Sequence, residues 1–473
     1  MNLREYKDLN QQHFQTDNSN KMEFKSINPY NDQQVGLYTS LTEKELVVKL
    51  NKSQDAFESW RKVPLSERSA LIKKAGQVLR ENVEEYAQMI TLEMGKPIIE
   101  SRSEVNKCAW VCDYYAENAA EFLTNETIAT DASQSFVRHD PIGSVLAIMP
   151  WNFPFWQVFR FAAPTLTAGN TGLLKHAPNV FGCAKQIEEV FIRAGFPRAV
   201  FQNLIVHHDH TEQIIEHVAV KAVTLTGSER AGSAVAEIAG RHIKKTVLEL
   251  GGNNAFIVWE DADIDKAVKT ALTARMLNCG QSCIAAKRFI LLEGIYDEFV
   301  SKFTKAVKDL KSGDPLEGAT QVGPMARKDL ADQLNRQVTD SIEQGAKLLL
   351  GGKQNGCYHE PTILGNVTPG MAAFEEETFG PLAAMIKAKD IDQAFDLSEQ
   401  SKYGLGVTVC TTDIDKALKF ADRVSDGAYF INELVKSDPR LPFGGTKNSG
   451  YGRELAKDGM MEFINRKTVY VKN

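Results

Sequence analysis

From Pro141 onward, short apolar runs alternate with amphipathic ones, and this alternation limits the fold more than any other feature of the chain. Residues 144–149 read Ser-Val-Leu-Ala-Ile-Met, a run apolar enough to be buried on both faces. Residues 171–175, 220–225 and 246–250 repeat the pattern, with helical runs between them that include 181–194 and 231–239. Near-continuous apolar strands separated by helices predict a parallel sheet covered on both faces. Ligands of such sheets bind outside the carboxyl ends of the strands. Asn152, Lys175 and Thr226-Gly227-Ser228 all stand at or just past predicted strand ends.

The second half repeats the alternation. Strands are expected at 255–259, 289–292, 347–350, 382–386, 406–411 and 428–431. Helices are expected near 263–276, 295–310, 328–344, 391–400 and 414–423. A chain of 473 residues exceeds the size at which one core stops growing, so two or three domains are predicted. Before the alternation, Asn28-Pro29-Tyr30-Asn31 reads as a turn. Thr42-Glu43-Lys44-Glu45 is a capping box, followed by Leu46, Leu50 and Phe57 at helical spacing. Gly95-Lys96-Pro97 is a helix stop signal, and a further helix is expected over 98–122. Residues 128–139 read as an exposed strand that 467–471 could pair with.

A net charge of −6 argues against nucleic acid as a main partner. Residues 1–21 are polar and lack the apolar region of a secretory signal, and no run approaches the length of a membrane span. The seven cysteines (108, 112, 183, 279, 283, 357 and 410) show no zinc-type pairing, and Cys108 and Cys112 share a helical face. A reduced, cytoplasmic setting is expected. His207-His208-Asp209-His210 invites a metal reading, but adjacent histidines rarely converge and no ligand spacing appears. A solvated loop without metal is the expectation there.

The chemistry centres on residues 278–288, Asn-Cys-Gly-Gln-Ser-Cys-Ile-Ala-Ala-Lys-Arg, between an amphipathic run and an apolar one. That context reads as helix, tight loop, strand, with a cysteine held where a substrate can reach it. Only the thiolate is a good nucleophile. A lone cysteine is more often a small buried hydrophobe, which is the reading for Cys279. Cys283 differs because matching pieces occur elsewhere: Pro150-Trp151-Asn152-Phe153-Pro154, Leu248-Glu249-Leu250-Gly251-Gly252, and residues 442–454 from Pro442-Phe443 to Arg453-Glu454. In this order and spacing the chain resembles the NAD(P)-dependent aldehyde dehydrogenase superfamily, from about Ile27 to Val471, and is most similar to bacterial succinate-semialdehyde dehydrogenases of NAD(P) type.

The resemblance implies an α/β fold with a Rossmann-type cofactor domain, an α/β catalytic domain and a small β oligomerisation arm. The expected division is an extension at 1–20, a cofactor domain at 21–124 and 142–249, a catalytic domain at 250–455, and an arm at 125–141 and 456–473. It implies Cys283 as nucleophile, with the Asn152 side-chain amide and the Cys283 backbone N–H stabilising the oxyanion. Hydride then passes to NAD or NADP, leaving a thioester that Glu249, as general base, hydrolyses through water. A carboxylate beside Leu248 and Leu250 is expected to have a raised pKa, and Gly251-Gly252 to allow close backbone approach. Relatives that pass the acyl group to coenzyme A commonly lack this base. Trp151, Lys175, Gly227, Ser228, Glu377 and Phe379 match the cofactor-binding positions.

Arg160, Phe153, Ser437 and Phe443, with Trp156, match the substrate channel, where an arginine fork and a serine suit a carboxylate-bearing aldehyde. Oxidation of succinate semialdehyde to succinate by a cytoplasmic homodimer or homotetramer is the implied function. Arg160 is alternatively a structural salt bridge, in which case a broad-specificity aliphatic or aromatic aldehyde dehydrogenase follows. A silent binding protein on the same fold is the rival from another class. Leu277 stands where some relatives have a second arginine, for which Arg275 or Arg288 would have to compensate. Pro178 replaces a glutamate common in NAD-specific members, which predicts use of both cofactors. Cys279 is a candidate redox partner of Cys283, if geometry permits.

Overall fold

The computed structural model describes residues 21–473, so the extension expected at 1–20 lies outside the described residues. A six-stranded sheet runs in the order Gly450–Tyr451, Lys245–Glu249, Val220–Thr226, Ser144–Met149, Thr171–His176, Phe201–Asn203. All pairings are parallel except that of Gly450–Tyr451 with Lys245–Glu249. Along Ser144–Met149, Val145, Ala147 and Met149 enter one hydrophobic core while Leu146 enters another on the opposite face. Leu173 and Leu174, and Val247 and Leu248, divide the same way. That period of two explains why these strands read as unbroken apolar runs: each face has its own core.

One of those cores is closed by the helices Leu65–Glu81, Val83–Met94 and Ile98–Phe122. The other receives Leu46 and Leu50 from the helix Glu43–Trp60. That helix starts at the expected capping box: Thr42 Oγ1 accepts from Glu45 N at 3.2 Å, and Glu45 Oε2 accepts from Thr42 N at 2.8 Å. Val83–Met94 ends at Gly95, whose φ of 78° needs a residue without a Cβ.

A seven-stranded sheet holds most of the second half, in the order Lys347–Leu350, Thr362–Gly365, Leu382–Ala388, Ala286–Leu292, Asn254–Val258, Val407–Cys410, Tyr429–Ile431. Only the edge strand Lys347–Leu350 is antiparallel. The residues expected at 128–139 and 467–471 do pair, as Gln134–Pro141 with Ile464–Val471, joined by Glu126–Thr127. The hairpin Glu23–Ile27 with Gln34–Thr39, around the expected turn, left no signal in the sequence because its strands are mostly exposed. The expected strand 246–250 begins one residue earlier, at Lys245, and the helix expected over 295–310 is a 3-10 turn, Glu293–Ile295, followed by Tyr296–Lys308. The strand Gly450–Tyr451 crosses from the far segment to pair beside Glu249, and this brings residues 442–454 against the end of the first sheet.

Candidate active site

The loop carrying Cys283 is held in an unusual backbone conformation. Asn278 and Cys279 have φ of 55° and 54°, and Gly280 follows at 69°. Three left-handed residues in a row are costly for L-amino acids; Asn tolerates the region, Cys does not, and Gly has no Cβ. A Cβ at Gly280 would meet the Gly380 carbonyl oxygen at 2.3 Å, so only glycine fits. The conformation is held from outside: Glu100 accepts from Asn278 N at 2.7 Å, and Asn278 Nδ2 donates to Asn152 O at 2.7 Å and to Gln281 O at 3.1 Å. The Cys279 thiol donates to Gly323 O at 3.3 Å, and burial pushes it up to about 12. Both Cys279 and Cys283 are free thiols.

Cys283 is partly exposed and lines a cleft of about 770 Å³ together with Trp151, Asn152, Gly227, Ser228, Glu377 and Phe379. Burial pushes its thiol up to about 11, against the opposing pull of the Lys287 and Arg160 charges. Asn152 Nδ2 donates to Gln281 O at 3.0 Å, and Gln157 Nε2 donates to Asn152 Oδ1 at 3.0 Å. The asparagine amide is therefore fixed in orientation, with its second N–H still available. Lys287 went unnoticed in the sequence reading. Its Nζ reaches Ser282 O at 2.9 Å, Cys283 O at 2.7 Å and Glu377 Oε1 at 3.1 Å, tying the cysteine loop to Glu377.

Glu249 is buried, and its Oε1 has no hydrogen-bond partner. Desolvation raises its pKa well above the ordinary value, with the nearby Glu454 charge adding to this and Arg160 opposing it. A Cβ at Gly444 would meet Glu249 Oε1 at 2.8 Å, so the loop after Pro442 approaches the carboxylate through glycine. The expected close approach at Gly251-Gly252 is also present: a Cβ at Gly252 would meet Cys283 O at 2.6 Å, and one at Gly251 would meet Glu377 Oε2 at 2.4 Å.

On the cofactor side, Gly227 N donates to Glu249 O at 3.0 Å, and the helix Glu229–Arg241 begins directly after. Ser228 Oγ caps it, accepting from Ala231 N at 3.3 Å. The helix N-terminus opens on the cleft with Arg230 and Ser233, a basic residue and a hydroxyl that the T-G-S reading overlooked. N–H groups, dipole and guanidinium together suit a pyrophosphate. Lys175 is buried, with no hydrogen bond or ion pair among the described residues, and burial lowers its pKa. A buried ammonium without a partner is costly unless a ligand supplies one. Glu377 Oε1 also accepts from Gly252 N at 3.0 Å, and Phe379 meets Trp151 edge-on at 5.8 Å. This donor set fits a dinucleotide. Pro178, where a glutamate would reach the ribose, is exposed and opens a 3-10 turn.

The substrate-side residues carry less of their expected freedom. Arg160 is buried; its Nε pairs with Glu454, its Nη2 donates to Thr226 Oγ1 at 3.1 Å, and its guanidinium stacks on Phe443 at 4.9 Å. The Phe153 ring faces Lys96 Nζ at 4.0 Å. Ser437 Oγ accepts from Lys107 Nζ at 2.9 Å and from Trp156 Nε1 at 3.1 Å. The expected stand-ins for a second arginine are corrected by the structure. Arg275 Nη2 donates to Gly280 O at 2.6 Å, and Arg288 donates to the carbonyls of Asn253, Leu397 and Ser398 at 2.8–3.0 Å. Both are buried; Arg288 is spent on backbone carbonyls, whereas Arg275 Nε and Nη1 have no hydrogen-bond partner among the described residues. The histidine run also departs from expectation: ligand atoms of His207, His208 and Asp209 lie within 4.8 Å of one another. Asp209 sits between the two rings, 2.9 Å from His207 Nδ1 and 3.2 Å from His208 Nε2, and draws them together.

Comparison with known proteins agrees with this arrangement. The profile of the Aldehyde dehydrogenase family matches residues 14–469. A probable NADP(+) succinate-semialdehyde dehydrogenase of Synechocystis sp. is 46% identical over 453 residues, covering 95% of this chain and 100% of its own. The NAD(P)+ succinate semialdehyde dehydrogenase Sad of Escherichia coli is 47% identical over 448 residues, covering 94% and 97%. Among solved structures, succinic semialdehyde dehydrogenase from Streptococcus pyogenes in complex with NADP+ superposes with a TM-score of 0.93 at 36% identity, covering 95% and 100%.

Proposed function

Since this chain belongs to the aldehyde dehydrogenase family and is an NAD(P)-dependent aldehyde dehydrogenase, we propose that its substrate is succinate semialdehyde, which it oxidises to succinate. One observation carries the chemistry: a partly exposed Cys283 thiol lines the cleft with the oriented Asn152 amide and feels the charge of the buried Glu249. The names of the relatives at 46% and 47% identity support the substrate.

In the proposed reaction, Cys283 Sγ attacks the aldehyde carbon as a thiolate. The developing oxyanion takes the free Asn152 N–H and the Cys283 backbone N–H, which donates to no group among the described residues. When bound, NAD(P)+ supplies the hydride acceptor. Lys175, Arg230, Ser233 and the N-terminus of Glu229–Arg241 would hold its adenosine and pyrophosphate, and Glu377 with Phe379 and Trp151 its other end. Glu249 then takes a proton from the water that cleaves the Cys283 thioester. Its burial suits this role, because a carboxylate with a raised pKa is a stronger base.

Pro178 presents no carboxylate to a 2′-phosphate, so both cofactors are expected to work. Reduced-cofactor absorbance with succinate semialdehyde, and NAD or NADP in parallel, tests substrate and cofactor together. NADP turnover (kcat/KM) below about a thousandth of that with NAD, some 4 kcal/mol of discrimination, would end the dual-cofactor reading. Activity on hexanal or benzaldehyde with none on succinate semialdehyde would end the substrate reading. A specific observation favours that second outcome: the Arg160 charge is already matched by Glu454.

The arm formed by Gln134–Pro141 and Ile464–Val471 leaves Ile464–Val471 as a largely exposed sheet edge, a template for a second chain. A homodimer or homotetramer joined through this arm, working in the cytoplasm, completes the proposal. Sedimentation of the full chain as a monomer at micromolar concentration is the result that contradicts the assembly. Among the described residues no helix is long and apolar enough to cross a membrane.

A further inference from the structure

The loop that leaves the edge strand Phe201–Asn203 brings three metal-ligating side chains to one point, and none of the three lines the cleft of Cys283. We propose that His207, His208 and Asp209 form a binding site for one divalent transition metal ion of the zinc, cobalt or nickel kind, separate from the dehydrogenase chemistry.

Successive side chains of an extended segment point to opposite sides, so adjacent histidines do not meet unless the backbone turns between them. Here it does. His207 is extended, with φ −70° and ψ 160°, and His208 opens the 3-10 turn His208–His210. His210 N donates to His207 O at 3.3 Å and closes the turn. The residues before it are pinned to their surroundings: Leu204 N donates to Leu174 O at 2.7 Å, and Leu41 N to Ile205 O at 2.8 Å. The two imidazole rings therefore lie 3.8 Å apart, centre to centre. Asp209 Oδ2 is 2.9 Å from His207 Nδ1, and Asp209 Oδ1 is 3.2 Å from His208 Nε2. One ligand atom from each residue falls within 4.8 Å of the other two.

Two features separate this cluster from a solvated ion-paired loop. First, His207 Nδ1 is buried and has no hydrogen-bond partner, although Asp209 Oδ2 is 2.9 Å away. The nitrogen is close to the carboxylate without being aimed at it, which is the relation of two ligands whose lone pairs share a third point. Bonds of about 2.0–2.2 Å to an ion put neighbouring ligand atoms about 2.9–3.4 Å apart, from octahedral to tetrahedral geometry. The separations of 2.9 and 3.2 Å fall in that range. Second, Asp209 has no lysine or arginine partner among the described residues, so its charge is left for another cation. Two imidazole nitrogens and one carboxylate suit Zn²⁺, Co²⁺ or Ni²⁺, whereas Mg²⁺ and Ca²⁺ favour oxygen ligands. Three protein ligands leave the remaining positions to water, on the side where His208 and Asp209 are 76% and 69% exposed.

The test uses the full-length enzyme without a histidine tag, carrying Cys283→Ala so that the nucleophile does not compete for metal. ZnCl₂ is titrated by calorimetry with MgCl₂ in parallel, and CoCl₂ is followed by visible absorption. One equivalent of Zn²⁺ is expected to bind and Mg²⁺ to give no heat. Zn²⁺ should also raise Tm as its concentration rises, because an ion that binds only the folded chain stabilises it. Co²⁺ should show ligand-field bands without the thiolate charge-transfer band that a cysteine such as the half-buried Cys357 would add. His208→Ala and Asp209→Ala should each weaken Zn²⁺ binding about tenfold or more and remove the Tm rise. Both side chains are mostly exposed, so neither substitution threatens the fold. Absence of Zn²⁺ binding, a thiolate band with Co²⁺, or affinity that either substitution leaves unchanged overturns the site.

Discussion

Cys283→Ala is expected to lower kcat with succinate semialdehyde by about 10⁴-fold or more, since removing the nucleophile of a covalent mechanism leaves only binding and oxyanion stabilisation. The fold should survive the change. Cys283 is partly exposed, and the loop's backbone is held by Glu100, Asn278 and Lys287 through groups other than its side chain. The wild-type thiol also has a characteristic titration. Burial pushes it up to about 11 while Lys287 and Arg160 pull the other way, so without cofactor it is mostly protonated at neutral pH. Alkylation by iodoacetamide should be slow at pH 7 and rise about tenfold per pH unit until the thiolate saturates. Cys283→Ala should abolish the activity-linked part of this labelling. Retained turnover in the variant, or a labelling plateau reached below about pH 8, contradicts this assignment of Cys283.

Glu249→Gln is expected to separate the two halves of the reaction. The first half needs Cys283 and the oxyanion donors, so each site should release about one equivalent of reduced cofactor in a burst. The second half needs a base, so steady-state turnover should fall by about 10²- to 10⁴-fold. Direction with pH follows from the same burial. Glu249 has its pKa raised, so it is protonated and idle at low pH and becomes a base as pH rises through that raised value. Wild-type deacylation should climb on that limb, and the glutamine variant should lose it. Loss of the burst together with the steady state would move Glu249 to the first half-reaction. Unchanged steady-state turnover would remove it from the mechanism.

Several of these positions could be read without coordinates, for local reasons. Asn278 and Gly280 were legible as a tight loop because left-handed backbone demands those residue types, and the structure has them at φ of 55° and 69°. Thr42 and Glu45 were legible as a helix start because a capping box is complete within four residues. Arg230 was legible in principle, as a basic residue in the first turn of a helix following Thr226-Gly227-Ser228, but its importance depended on that helix opening on the cleft.

What the sequence determined by itself is the parallel α/β character, the two opposed faces of the first sheet, and where the cysteine loop, the strand end at Glu249 and the glycine-rich pieces stand. Each depends on spacing over a few residues, where the backbone geometry of strand, helix or turn translates directly into pattern. What only the tertiary structure decided is which charge meets which. Arg160 read equally as a carboxylate fork or a structural salt bridge until Glu454 was found against it, and the partners of Arg275 and Arg288, the carbonyls of Gly280 and of Asn253, Leu397 and Ser398, came only from the packing. Lys107 and Ser437 stand 330 residues apart in the chain, yet the ammonium meets the hydroxyl at 2.9 Å. A long cationic side chain can reach many partners, and a hydrogen bond exists only within about 3 Å. Which partner lies within that reach is set by packing between distant segments, so no window along the chain contains the answer.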